Sequence, residues 1–312
     1  MMKTILITAI GGDIAQGVAK VIRGCKQNFR LIGTDIHGQH EHGGGLFVDK
    51  YCVVPRATDN SYKNEILKLI DTEAVDIVIP ISEPELGVLH DCDKACDSVQ
   101  WVMPGSKVIQ TGLDKLATIQ QLDKLGLKVP WTKPVADGAP AELPCIMKDR
   151  FGSGSKNVFL VRDKLDVDYF TVKYPHSIYQ ELLLPADREV TCAVYRTLDQ
   201  RVAVYQMQRK LVGGLTGWAQ IIDNEAVKDM CERIAHGLEL LGSMNIQLRI
   251  TDDGPRVFEI NPRFSSTTLM RHRLGFTDLI WSLDELAGHN IKFPSLPIGR
   301  IAVKTFDAEI VL

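Results

Sequence analysis

Over the first hundred residues, short continuous apolar runs alternate with amphipathic stretches. Strands are predicted at 3–10, 31–35, 75–79 and 100–103, and helices at 13–24, 61–70 and 84–95; in the first helix Ile14, Val18, Ala19, Val21 and Ile22 recur on one side. Strand and helix in alternation predict a parallel sheet covered on both faces. Past Ser106 the pattern changes. Residues 114–125 read as a helix with Leu116, Ile119 and Leu122 on its apolar stripe and Lys115 off it, where a solvated side chain is one reading. Strands are predicted at 145–148, 157–161, 177–184, 188–196 and 201–209, the last two joined at Leu198-Asp199-Gln200 as antiparallel sheet. Asn224 caps a helix whose Val227, Met230, Ile234, Leu238 and Leu241 recur at three and four, with Gly242 as its C-cap. The expected class is α/β followed by α+β: a Rossmann-like N-terminal unit, then antiparallel sheets.

The helix delivers the chain to a hairpin. Asn245 to Ile250 and Val257 to Asn261 flank Thr251-Asp252-Asp253-Gly254-Pro255, and a three-residue loop at 252–254 sets Gln247 opposite Glu259. Ile246, Leu248, Ile250, Phe258 and Ile260 then share one face, and Asn245, Gln247, Arg249, Glu259 and Asn261 the other. A slip of one residue would destroy this separation. Opposed side chains lie roughly 5 Å apart at Cβ, so Gln247, Glu259 and Asn261 can converge their oxygens. One carboxylate and two amides suit Mg²⁺, with Mn²⁺ as an alternative, because such an ion takes its remaining ligands from water and phosphate oxygens. Arg263 follows on the same parity. The competing reading is an amphipathic hairpin with a solvated polar face.

Composition narrows the class. The chain has 312 residues, 45% of them hydrophobic, and a net charge of −3 without a basic block, so nucleic acid is not an expected partner. No apolar run approaches the ~20 residues that cross a bilayer, and the first one passes into Gly11-Gly12-Asp13 like a buried strand and turn rather than a signal peptide. The seven cysteines are scattered; only Cys92 and Cys96 are close, on a stretch expected to be helical. Reduced thiols in a cytoplasmic protein are expected. A homodimer is left open.

Other stretches carry weaker signals. Gly11 to Gly17 with Asp35 invites a dinucleotide reading, but the spacing is not G-x-G-x-x-G. His37, His40 and His42 stand in a glycine-rich segment that reads as a mobile loop rather than a metal site. Glu83, in Ser82-Glu83-Pro84-Glu85, falls at the C-terminal end of a parallel strand, where open sheets place ligands. Gly152, Ser153, Gly154 and Ser155 form a small loop whose N–H groups can wrap phosphates, with Lys148, Arg150 or Lys156 supplying charge; an ordinary turn is the alternative. Gln180-Glu181-Leu182-Leu183 sets a polar pair into an apolar strand, and Glu189 is either a surface acid or a ribose acceptor. Trp218, placed in the glycine-rich loop that begins at Gly213, is either a lid residue or a packing anchor.

Taken in order, Lys148, the Gly/Ser loop, Gln180 to Leu183, Glu189, Gln247 and Glu259-Ile260-Asn261-Pro262-Arg263 resemble the ATP-grasp superfamily, most closely one synthetase unit of carbamoyl phosphate synthetase large chains. The N-terminal unit resembles the domain preceding the ATP-grasp fold there, which implies domains at 1–105 and 106–312, the latter with a small lobe at 106–177 and a large lobe at 178–312. The resemblance implies that Lys115 and Lys148 contact ATP phosphates, that Glu181 and Leu183 sit at the adenine hinge, and that Glu189 holds the ribose. It further implies that Gln247, Glu259 and Asn261 bind Mg²⁺ and that Arg263 stabilises the transferred phosphoryl group. Arg209 is a further substrate or phosphate contact, and Glu83, Trp218, Arg209 and the segment from Ser265 to Arg271 line the substrate cleft. The chain departs from the pattern at Asp149, where proline usually follows the lysine, at Asn157, where glycine is usual, and in ending at Leu312 as one unit. Carbamoyl phosphate synthesis is accordingly not the expected reaction. The expected activity is an ATP-dependent ligase that activates a small carboxylate as an acyl-phosphate for attack by an amine; the competing class is a non-catalytic ATP-binding regulatory or scaffolding protein.

Overall fold

The computed structural model describes residues 2–92, 99–152, 154, 157–305 and 308. Its N-terminal part runs β1 (Lys3–Ile7), α1 (Asp13–Arg23), β2 (Phe29–Asp35), β3 (Lys50–Val53), α2 (Tyr62–Thr72), β4 (Ile77–Ile79), α3 (Glu83–Leu89) and β5 (Gln100–Trp101). The five strands are parallel, in the order β3-β2-β1-β4-β5. Strand alternation splits the apolar runs between two cores. Ile5, Ile7, Leu31, Ile77 and Ile79 pack with Val18 and Ile22 of α1, while Leu6, Ile32 and Val78 pack with Tyr62, Ile66 and Ile70 of α2. Strand β3 carried no sequence signal because it is a half-exposed edge strand. The segment read as a mobile histidine loop contains a 3₁₀ turn, Gly43–Phe47, capped by His42. Residues 93–98, and with them Cys96, lie outside the described residues.

The remainder begins with α4 (Ser106–Leu113), α5 (Lys115–Lys124), β6 (Thr132–Pro134), β7 (Cys145–Asp149), β8 (Val158–Val161), α6 (Lys164–Lys173) and β9 (Ser177–Glu181). It continues through β10 (Glu189–Arg196), β11 (Val202–Val212), β12 (Leu215–Ile222), α7 (Glu225–Gly237), β13 (Gly242–Thr251), β14 (Gly254–Asn261), α8 (Thr268–Arg273), α9 (Asp278–Leu286) and β15 (Ile301–Val303). These strands make two antiparallel sheets, β6-β9-β7-β8 and β14-β13-β10-β11-β12-β15. The apolar face of the larger sheet, with Val190, Cys192, Ile246 and Leu248, closes on Val227, Cys231 and Ile234 of α7.

Three expectations are corrected. Helix α7 ends at Gly237, not at Leu241: the chain turns through Glu239 at φ 55° and Gly242, at φ 67°, opens β13. The strand expected at 201–209 continues to Val212 and turns on Gly213 and Gly214 alone, at φ 58° and 79°, a two-residue hairpin that needs left-handed residues at both positions. Trp218 therefore stands within β12, paired with Lys210 and Val303, and is not part of a loop. Helix α6 was not expected because it does not segregate apolar from polar positions: Leu165, Tyr169 and Val172 all point to solvent. No helix among the described residues is long and apolar enough to cross a membrane, and Cys25, Cys52, Cys145, Cys192 and Cys231 are free thiols.

Candidate active site

The hairpin of β13 and β14 sets Gln247 opposite Glu259 and Asn245 opposite Asn261. It reaches that register by a different route from the one expected. Its turn is Asp252-Asp253 alone, with Thr251 opposite Gly254, and a bulge between Gln247 and Leu248 inserts Phe258 as an unpaired residue. The shorter turn and the extra residue offset each other. Consequently Leu248 faces Val257, which enters the core, and Phe258, expected there, leaves it.

The bulge frees the Phe258 carbonyl, and Lys148 of β7 reaches across from the smaller sheet to bond it, Nζ to O 3.0 Å, with its ammonium 5.5 Å from the Phe258 ring centroid. Lys148 is 5% exposed. Burial pushes its pKa down from 10.5 to about 8; Glu259 pulls it up and Lys115 adds to the fall. Lys115, whose place off the apolar stripe left a solvated side chain open beside a phosphate contact, is buried at the start of α5, and its Nζ donates to Gly152 O at 2.5 Å. Two ammonium groups therefore converge below the Gly/Ser loop, of which Gly152 and Gly154 are described, both at positive φ; Ser153, Ser155 and Lys156 lie outside the described residues. Arg150 does not join them, because Asp114, the N-cap of α5, holds it through Nε at 2.9 Å and Nη2 at 2.6 Å. Asn157 donates to Asp149 at 2.8 Å, so the two departures from the ATP-grasp pattern are partners across the loop.

On the same face of the larger sheet, Glu189 stands between two arginines. Glu189 Oε1 accepts from Arg209 Nε at 2.9 Å and Nη2 at 2.6 Å, and its Oε2 accepts from Arg249 Nη2 at 2.8 Å. Arg209 Nη2 also donates to Gln247 Oε1 at 2.9 Å, which ties Glu189 to Gln247. Arg249 Nη1 donates to Leu183 O at 2.7 Å, and its guanidinium lies 5.9 Å from the Phe258 ring centroid. The Glu181 carboxylate is taken by Arg256 Nη1 at 2.7 and 2.8 Å, while Gln180 is buried and donates to Thr132. Leu182 is half-buried and Leu183 buried. Arg249, Arg256 and Phe258 gained no role from the sequence. The two arginines stand opposite each other in the hairpin, each beside an acid of another strand, and only tertiary pairing reveals that.

At the end of β14, Arg263 Nη2 donates to Asn261 Oδ1 and to Glu83 Oε1, both at 2.8 Å. Ser265 is buried and bonded to Thr267 and Arg271, whose guanidinium is wholly buried against Asp278. Ser265 and Arg271 thus hold each other in the interior. Trp218 stacks under Lys210, Nζ 5.2 Å from its ring centroid. In the N-terminal sheet, Asp35 accepts from the Gly11 amide at 2.8 Å, and a Cβ at Gly11 would lie 2.5 Å from the His42 ring. The ribose acid of the dinucleotide reading is thereby already bonded to the glycine turn.

The residues fit a hard cation. Among the described residues the Glu259 carboxylate makes no hydrogen bond or ion pair, and Asn261 Nδ2 is buried without a partner. Gln247 and Asn261 each offer an amide oxygen that accepts one hydrogen bond and has a lone pair left. One carboxylate with two amide oxygens beside two lysines is a donor set for Mg²⁺ completed by phosphate oxygens.

A family model described as ATP-grasp domain matches residues 113–267, and one described as PylC-like, N-terminal domain matches residues 5–102. The chain carries an ATP-grasp domain, preceded by a PylC-like N-terminal domain. Among solved structures it is similar to N5-carboxyaminoimidazole synthetase from Staphylococcus aureus complexed with ADP, at 17% identity and TM-score 0.74, covering 97% of this chain and 81% of that one. It is also similar to a biotin carboxylase–ATP-analogue complex from Campylobacter jejuni (16%, TM-score 0.72, 95% and 72%). A third is an L-amino acid ligase from Bacillus licheniformis (16%, TM-score 0.68, 87% and 69%). None of the curated proteins matches the sequence.

Proposed function

We propose that the protein is an ATP-dependent ligase that activates a small carboxylate as an acyl-phosphate for attack by an amine, releasing ADP and phosphate. The observation that carries this reading is the Glu259 carboxylate, without a hydrogen bond or ion pair among the described residues, set opposite Gln247 and faced by the buried Lys148 from the smaller sheet. The family match and the ligases among the solved structures support it. In this reading Lys115, Lys148 and the Gly152 to Ser155 loop receive the phosphates, the run from Gln180 to Leu183 receives the purine, and Glu189 receives a ribose hydroxyl. Mg²⁺ held by Gln247, Glu259 and Asn261 supplies charge neutralisation at the phosphates. Arg209, bonded to both Glu189 and Gln247, keeps the ribose acid and the metal ligand in fixed relation. Arg263 meets the transferred phosphoryl group and the acyl-phosphate, chemistry that needs charge and alignment more than a side-chain nucleophile.

The test is ADP release from Mg-ATP against a panel of carboxylic acids, amino acids and bicarbonate, each with and without amines, with hydroxylamine added to trap acyl-phosphates. Stimulation by one acid and formation of its hydroxamate is the expected result. Nucleotide binding without stimulation by any acid would favour a nucleotide-binding regulator instead.

A further inference from the structure

The groups assigned to metal and phosphate come from the ATP-grasp domain, yet Arg263 is anchored outside it. Its Nη2 is shared between Asn261 Oδ1 and Glu83 Oε1, and Nη1 donates to Phe264 O at 3.1 Å. The ion pair is buried, the two side chains being 12% and 7% exposed. Glu83 is placed independently of Arg263. It opens α3, where Ser82 and Glu85 form a capping box, and Glu85 is itself fixed by Thr8, Tyr62 and Ser82. The arginine then sets the amide of Asn261, because the opposite flip would point Nδ2 at Nη2, donor against donor.

We infer that Glu83 is a positioning residue of the metal–phosphate site: it holds Arg263 against Asn261 and cancels the guanidinium charge beside a cation site, so that the N-terminal domain completes that site. The inference rests on the assignment of Gln247, Glu259 and Asn261 as metal ligands. It gives Glu83 a different role from that of a group contacting the carboxylate or amine substrate. Without Glu83, an uncompensated positive charge stands next to the position of a divalent ion, and two like charges a few ångströms apart in a partly buried site repel strongly.

The test uses the full chain and needs no knowledge of the organic substrates. Mn²⁺–ADP binding is followed by the electron paramagnetic resonance of free Mn²⁺ and by calorimetry, with thermal unfolding checked for each variant. Glu83→Gln is expected to weaken Mn²⁺–ADP binding on the order of tenfold, and Glu83→Asp to remain within about threefold of wild type, since it keeps the charge. In an Arg263→Met background, Glu83→Gln should have no further effect. Wild-type affinity in Glu83→Gln, or an equal loss in the Arg263→Met background, would overturn the inference. A wild-type protein that fails to bind Mn²⁺–ADP would instead reject the metal assignment beneath it.

Discussion

Replacing Lys148 with methionine should separate stability from function, in a way that depends on pH. The fall of its pKa from 10.5 to about 8 corresponds to about 3 kcal/mol of destabilisation at neutral pH, at 1.36 kcal/mol per unit. In the unfolded chain the lysine keeps its proton up to the ordinary value, whereas in the folded chain it releases it near pH 8. Between these values the unfolded state binds more protons, so the stability of the wild type rises with pH across that window. Below it the full cost is present, and above it the cost is gone. Methionine carries no such cost, but it leaves the Phe258 carbonyl without its partner, a loss of about 1–3 kcal/mol at every pH. The pH dependence of the difference is therefore the decisive quantity. Urea denaturation of both proteins at pH 7 and at pH 10.5 should show the variant's relative stability falling by about 2–3 kcal/mol between the two, while calorimetry shows ADP binding weakened in the variant at neutral pH. A stability difference that is the same at both values would refute the burial of a charged lysine facing Glu259.

Three further substitutions test the frame around the site. Gly112→Ala adds a Cβ 2.7 Å from Pro262 Cδ and 3.1 Å from Ile260 O, so it should cost about 1–3 kcal/mol in urea denaturation despite the helical gain of alanine over glycine. Arg271→Met, which strands Asp278 in the interior, should cost about 3–5 kcal/mol, with part recovered in Arg271→Met/Asp278→Asn. Arg249→Met removes the donors to Leu183 O and Glu189 and should weaken ADP binding in calorimetry by roughly tenfold or more, the scale of one charge-assisted hydrogen bond.

What the sequence revealed follows from how local each signal is. The N-terminal sheet was legible because its strands are apolar runs buried on both faces and its helices carry clean stripes; β3, half-exposed at the edge, and α6, unsegregated, gave no pattern to read. The pairing of Gln247 with Glu259 was foreseen, but the bulge was not, since nothing in Val257-Phe258-Glu259 marks which of two adjacent apolar residues leaves the core. The burial of Lys115 was not legible because it comes from Gly152, 37 residues away in sequence. The roles of Arg249 and Arg256 depend on acids from β10 and β9, and the link between Glu83 and Arg263 spans 180 positions. Contacts of that kind are created by the fold and leave no periodicity behind.

The ligase reading stands or falls on where the phosphate released from ATP obtains its fourth oxygen. The wild-type protein is incubated with Mg-ATP and an ¹⁸O-labelled carboxylate that stimulates ADP release, with the matching amine present, and the inorganic phosphate is analysed by mass spectrometry. Glu259→Gln serves as the control expected to fold but form no ADP. Attack of the carboxylate on the γ-phosphorus, followed by displacement by the amine, predicts one ¹⁸O atom in each phosphate formed. Phosphate that carries no label, its new oxygen coming from water, would contradict the account.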